Sequence, residues 1–189
     1  QLDDLIAKAR KAATDQGMNV VLMGVLPTMR KQDLGMHNMV PSPRYLALNE
    51  VLTEMRGRRF KVSIKGLDEL IIDHDSVMLE ACNSSFQIHL QVAPGEFARL
   101  YNIAQVLAGP IMALRLHNGT IYRWNRACFG VTDGKAHLRI ENRVMPAGPS
   151  TIDEIANSAF WFGLMAELGA HGEDITKRID FDQAAANFY

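Results

Sequence analysis

The sequence predicts an α+β fold: a mainly antiparallel sheet with a polar cleft face, covered by helices. Three observations carry that expectation. Residues 86–92 and 136–145 alternate apolar and polar side chains with the period of a half-buried strand. Asp133-Gly134 falls between two strand-like runs, a hairpin signal. Long stretches of helical character, 94–114 and 151–168, lie on either side of that hairpin.

Each element has its own reason. Leu2, Leu5, Ile6 and Ala9 give residues 1–16 an amphipathic helical pattern, with Gly17 as the stop. Val20 to Leu26 is a continuous apolar run ending at Pro27, which predicts a buried strand. Gly35, Asn38, Pro41 and Pro43 make 32–43 a loop. Leu46, Asn49, Leu52 and Met55 recur at helical spacing. Beyond Gly57, Phe60, Val62 and Ile64 alternate with Lys61, Ser63 and Lys65 as in a strand. The stretch 68–82 reads as a short helix followed by an approach to the next strand.

In that next strand Phe86, Ile88, Leu90 and Val92 face away from Gln87, His89 and Gln91. Pro94 suits the first turn of a helix running to about Leu114, with Gly109 and Pro110 bending it. Strands are expected over 120–129 and 136–145. In the second, Leu138, Ile140 and Val144 oppose His137, Arg139, Glu141 and Arg143. Pro149 and Ser150 precede a last long helix that ends near Gly169.

Composition narrows the class. Hydrophobic residues make up 48% and charged residues 22% of the 189, which excludes a disordered or fibrous chain. The net charge of −1 supplies no global attraction to nucleic acid or to an acidic membrane, so neither is expected as a partner. No apolar run reaches a membrane span and no signal-peptide pattern opens the chain, so a cytoplasmic location is expected. The two cysteines, Cys82 and Cys128, are too few for a disulfide framework or a cysteine-built zinc site and read as buried structural thiols. The ten methionines read as core. The chain is taken as one catalytic-type domain, 1–189, cut from something longer. It opens within a helical pattern without an initiator Met and stops directly after an Ala-rich amphipathic stretch.

Candidate chemistry sits on the two polar strand faces: Gln87 and His89 on one, Arg139, Glu141 and Arg143 on the other. A carboxylate flanked by arginines can hold a metal and balance phosphate charge; a solvated sheet face with cross-strand ion pairs is the alternative. Glu80 lies close enough to the first of these strands to reach the same cleft. Asp73-His74-Asp75 has a metal-like composition but reads as a cap or turn. Arg56, Arg58, Arg59, Lys61 and Lys65 read as a solvated strand edge. Gly130 to Lys135 is one residue short of a phosphate loop and reads as a hairpin turn. A generic carboxylate–histidine mixture also leaves metal-dependent hydrolysis open.

Ile121-Tyr122-Arg123-Trp124-Asn125-Arg126, followed by Leu138-Arg139-Ile140-Glu141-Asn142-Arg143-Val144-Met145, resembles the paired late motifs of the glutamate–cysteine ligase family. There a strand with Trp and Arg precedes one with Glu-x-Arg. Gln87-Ile88-His89-Leu90 resembles that family's mid-chain strand. Gly24-Val25-Leu26-Pro27-Thr28 and Pro43-Arg44-Tyr45 resemble weaker family features. The motifs occur in family order over most of the chain, closest to a bacterial branch.

The resemblance implies a glutamine synthetase-like catalytic domain and an ATP-dependent carboxylate–amine ligase, with small-molecule carboxylate and amine substrates. Such an enzyme uses ATP and Mg2+ to form an acyl phosphate that an amine then attacks. By that analogy Glu141 is a magnesium ligand, joined by Glu80, Gln87 and His89. Arg143 contacts the ATP phosphates, and Arg126 the phosphates or the substrate carboxylate, so both are the catalytic candidates. Arg139 is a further nucleotide-binding candidate from its face alone. Glu141 is expected to matter for catalysis and little for folding. The early metal-binding strand of the family is expected upstream of Gln1, and a further segment is expected near 114–116. Ala127 and Pro146 depart from the family pattern, which leaves the substrates open, along with a non-catalytic nucleotide- or metabolite-binding relative. Self-association is also left open.

Overall fold

The chain is seen in a computed structural model that describes residues 2–57, 60–65, 69–115 and 125–187. It runs α1 (Leu2–Thr14), α2 (Pro43–Arg56), β1 (Phe60–Lys65), β2 (Glu69–His74), α3 (Met78–Ala81), β3 (Ser85–Val92) and α4 (Phe97–Arg115). After these come β4 (Arg126–Thr132), β5 (Lys135–Pro146), α5 (Thr151–Ala170) and α6 (Phe181–Ala186). Every strand pair is antiparallel: β1 with β2, and a three-stranded sheet in the order β3-β5-β4. The class is α+β, as expected.

The core forms where the apolar face of that second sheet meets α4 and α5. Ile88 and Val92 from β3, and Ile140, Val144 and Met145 from β5, pack with Ile103, Ala104, Leu107, Ala108, Ile111 and Met112 of α4. The α4 residues recur every three or four positions, the stripe that one helix face presents to a sheet. Trp161 and Met165 bring α5 into the same cluster. Pro110 lies inside α4 and is exposed, where its missing N–H is least costly. Gly109 is needed at its position because an added Cβ would meet the Asn187 Cβ at 2.8 Å.

Two local devices set the strands that matter. Asp133 and Gly134 both take positive φ, 50° and 74°, which the two-residue hairpin turn requires. Buried Asn125, just before β4, is held to α4: its side-chain amide donates to the Ala104 carbonyl, 2.7 Å, and its N–H to Gln105 Oε1, 2.9 Å. Tyr101 Oη donates to the Asn125 carbonyl at 2.9 Å. Strand β4 therefore starts from a fixed point on the helix.

Several expectations need correction. Val20 to Leu26 forms no strand; Val25 makes one isolated bridge with Asn83, and Val21, Val25 and Leu26 are exposed. A continuous apolar run becomes a strand only where an edge is there to pair with it. In the 68–82 stretch the order is reversed, strand β2 first and short α3 after it. Only Met78, Met112, Met145 and Met165 among the methionines are buried core residues, while Met18 and Met55 are well exposed. Around Asp73-His74-Asp75, His74 is buried with its Nε2 2.9 Å from Ser76 Oγ, and both aspartates are exposed. The side chains of the basic cluster at 56–65, and residues 116–124 with the Trp124 motif, lie outside the described residues.

Helix α5 starts at Ser150, whose side chain accepts from the Asp153 N–H. Next to that cap, Glu154 is buried and accepts the Gly148 N–H at 2.9 Å. Burial pushes its carboxyl up, Asp153 adds to the rise, and the Gly148 bond only partly offsets it. A carboxyl raised on folding contributes stability that is present below its unfolded value and lost as pH rises through its folded one. Glu154→Gln keeps the acceptor for Gly148, so its unfolding free energy should vary less with pH than wild type just above the ordinary glutamate range. Urea unfolding across that range checks this, and an unchanged slope would show that Glu154 is not the group responsible.

Candidate functional site

The hairpin turn sets the register of the site. With Thr132 opposite Lys135, pairing runs back along the strands until Arg126 faces Glu141 and Cys128 faces Arg139. On the other edge of β5, β3 places His89 opposite Glu141 and Gln91 opposite Arg139. His89, Glu141 and Arg126 thus form one row across three strands, and Gln91, Arg139 and Cys128 form the next. Side-chain direction alternates along a strand, so both rows project from the face opposite the core.

Glu141 is the centre of that face. It sits on the middle strand with 0% of its side chain exposed, while Arg126 beside it is 56% exposed. Arg126 donates to Glu141 Oε2 from both Nε, at 2.9 Å, and a terminal nitrogen, at 2.6 Å. The Cys128 thiol donates to the same oxygen at 3.1 Å. Arg143 Nε lies 3.1 Å from Glu141 Oε1, an ion pair without hydrogen-bond alignment, and His89 Nε2 lies 3.9 Å from Oε2.

The charges follow from these contacts. Burial alone would push the Glu141 carboxyl up; the bonds from Cys128 and Arg126 and the charges of Arg126 and Arg143 outweigh it and hold the carboxyl below its ordinary value. Burial and the bond to Glu141 raise the Cys128 thiol, against a smaller opposing effect of Arg126. Cys128 is therefore a protonated donor at neutral pH and not an activated nucleophile. The Arg126 guanidinium is held more firmly charged by its bond to Glu141.

Of the residues singled out in the sequence, the structure brings His89, Arg126, Glu141 and Arg143 together. Arg139 is half-buried one row away, opposite Gln91 and Cys128. Gln87 is exposed where the β3–β5 register shifts, and its side-chain amide donates to Ser85 Oγ at 3.1 Å. Glu80 lies on α3 with its side chain outside the described residues. The residue missed is Cys128. It is half-buried and bonded to Glu141 rather than set in the core. The signal was present: Cys128 stands two positions from Arg126 on one strand, hence on the same face.

The donor set can serve two kinds of cation differently. Mg2+ takes oxygen ligands and is usually held by one or two carboxylates together with substrate phosphates and water. Glu141 fits that habit, and its Oε1 is buried without a hydrogen-bond partner among the described residues. His89 and Cys128 are softer ligands and do not fit it. A cavity of about 530 Å3 at the turn end of the sheet, lined by residues such as Gln91, Phe129 and His137, does not include Glu141.

Fold and face together define an α+β arrangement that, among the described residues, presents one carboxylate paired with arginines on an antiparallel sheet. The family model of glutamate-cysteine ligase family 2 (GCS2) matches residues 1–115, and the chain belongs to that family. A ligase-type role is the general function this membership supports. The match takes in β3 with Gln87 and His89 and ends before β4 and β5. No curated protein and no solved structure matches the chain. Among the described residues, no helix is long and apolar enough to cross a membrane.

The burial of Glu141 departs from the expectation that it matters little for folding. Replacing this buried, ion-paired carboxylate by an amide keeps one acceptor oxygen but removes the charge that pairs Arg126 and Arg143. It also sets an NH2 donor among them, at a cost of about 1–3 kcal/mol. Glu141→Gln should lower the unfolding free energy by that amount at neutral pH. A carboxyl depressed on folding contributes stability that is present above its unfolded value and lost as pH falls through its folded one. The gap between wild type and variant should therefore close in acid. Urea titrations at neutral and acidic pH measure both, and equal stabilities at neutral pH would remove Glu141 from the network.

Proposed function

We propose that this protein is an ATP-dependent carboxylate–amine ligase that forms an amide bond through an acyl phosphate. The observation that carries the reading is the buried Glu141 carboxylate ringed by Arg126 and Arg143 on an open sheet face, in a chain of the glutamate-cysteine ligase family. In the first step a substrate carboxylate oxygen attacks the γ-phosphorus of ATP, and ADP leaves. In the second, the amine attacks the acyl carbon, phosphate leaves and the nitrogen gives up a proton. Both steps call mainly for positioning and charge stabilisation.

The residues have separable tasks in this proposal. Arg126, the exposed member of the ion pair, turns its guanidinium from Glu141 to a phosphate or to the substrate carboxylate. Arg143 stays beside Glu141 Oε1 and adds positive charge where the phosphates lie. Glu141 would hold magnesium, which supplies bridging and charge neutralisation on the phosphates when bound. Arg139 extends the cationic strip along the same face.

A second reading is a non-catalytic nucleotide- or metabolite-binding relative. The observation favouring it is that Glu141 is the only carboxylate among the described residues of this cluster and is already held by Arg126, Cys128 and Arg143.

Mg-ATP should raise the melting temperature, since a ligand at a hundredfold excess over its Kd stabilises by about 2.7 kcal/mol. Arg143→Met should remove most of that rise, and NAD or FAD should give none. ADP release that depends on both a carboxylate and an amine selects the ligase; a Mg-ATP shift with no such release selects the binding relative. Stabilisation by NAD or FAD and none by Mg-ATP would contradict the ligase and leave the binding relative as a reader of a different nucleotide.

A further inference from the structure

We infer that His89, Cys128 and Glu141 form a binding site for a thiophilic divalent cation of the zinc class. Their donor atoms (an imidazole nitrogen, a sulfur and a carboxylate oxygen) all lie within 4.8 Å of one another, from three adjacent strands. Tetrahedral zinc with bonds of about 2.0–2.3 Å needs ligand separations of roughly 3.3–3.7 Å, so small side-chain adjustments close the site. Cys128 Sγ already stands 3.1 Å from Glu141 Oε2, and His89 Nε2 stands 3.9 Å from it.

The donor chemistry selects the ion. Nitrogen, sulfur and oxygen in a set of three suit zinc with one position left for water or substrate, whereas magnesium takes neither thiolate nor, readily, imidazole. The rigid part of the site is Glu141, fixed on the central strand. Of its two arginine neighbours, Arg126 is 56% exposed and has solvent to turn into, while Arg143 stays beside Oε1. On binding, the Cys128 thiol releases its proton to water, and thiolate and carboxylate together balance the charge of the ion.

Occupation takes Glu141 and Arg126 out of their other pairing. If the proposed ligase reading holds, such an ion competes with Mg-ATP for the same carboxylate and inhibits the enzyme. That consequence rests on the proposed function; the binding does not.

The test uses the full chain in excess magnesium. Zn2+ should protect Cys128, and not Cys82, from alkylation by iodoacetamide, read by peptide mass spectrometry on the wild-type protein. Co2+ should give a thiolate-to-metal charge-transfer band in the near ultraviolet that survives Cys82→Ser and is lost in Cys128→Ser. His89→Gln should weaken the Co2+ affinity about tenfold or more. Equal alkylation of Cys128 with and without Zn2+, no charge-transfer band, or a band that persists in Cys128→Ser would each overturn the site. Failure of Mg-ATP stabilisation with Zn2+ protection intact overturns the ligase reading alone, and the reverse result overturns the metal site alone.

Discussion

One carboxylate sets the terms for the rest of the sheet face. Glu141 is wholly buried on the central strand, yet it stays ionised because Arg126 and Cys128 donate to it and Arg143 lies beside it. A buried charge survives only with such partners, and these come from a neighbouring strand and from its own. The strand register is thereby tied to the electrostatics: a slip of one residue would turn Glu141 toward Ile140's side and leave it against the hydrophobic core. The apolar packing of α4 and α5 against the other face holds that register from behind.

The parts of this arrangement legible in the sequence are those whose signal is local. β3 and the 137–141 stretch of β5 alternate apolar and polar residues because each has one face on the core and one away from it, and the register shift near Gln87 breaks the pattern beyond Asn142. The Asp133-Gly134 turn was readable, and it implies Arg126 opposite Glu141, because a two-residue loop leaves one register. Helix α5 carried its own cap at Ser150. What was not legible depended on distant partners. The pairing of His89 with Glu141 joins strands separated by the whole of α4. Val20 to Leu26 reads as buried from composition, but its fate is decided by whether an edge lies beside it. The residue type of Cys128 points to the core, whereas its position two residues from Arg126 points to the polar face, where it bonds Glu141.

The two chemistries open to the face share their ligands and differ in hardness. In the proposed ligase, phosphates and magnesium would meet the oxygen of Glu141 and the arginines. Without them, the imidazole of His89 and the sulfur of Cys128 stand ready around the same oxygen. Arg126 is the member that can exchange between these states, since it alone of the two arginines is more than half exposed. The family membership rests on residues 1–115, so β3 is where family and geometry overlap, and the β4–β5 hairpin completes the face beyond it.

The central claim is that Glu141 and Arg126 are energetically coupled across the β4–β5 pair. A double-mutant cycle with Glu141→Gln, Arg126→Met and the double variant, read by urea unfolding at neutral pH, measures that coupling alone. The account predicts a favourable interaction of about 1 kcal/mol or more, as expected for groups in direct contact. Single-variant effects that add to within about 0.3 kcal/mol would contradict it.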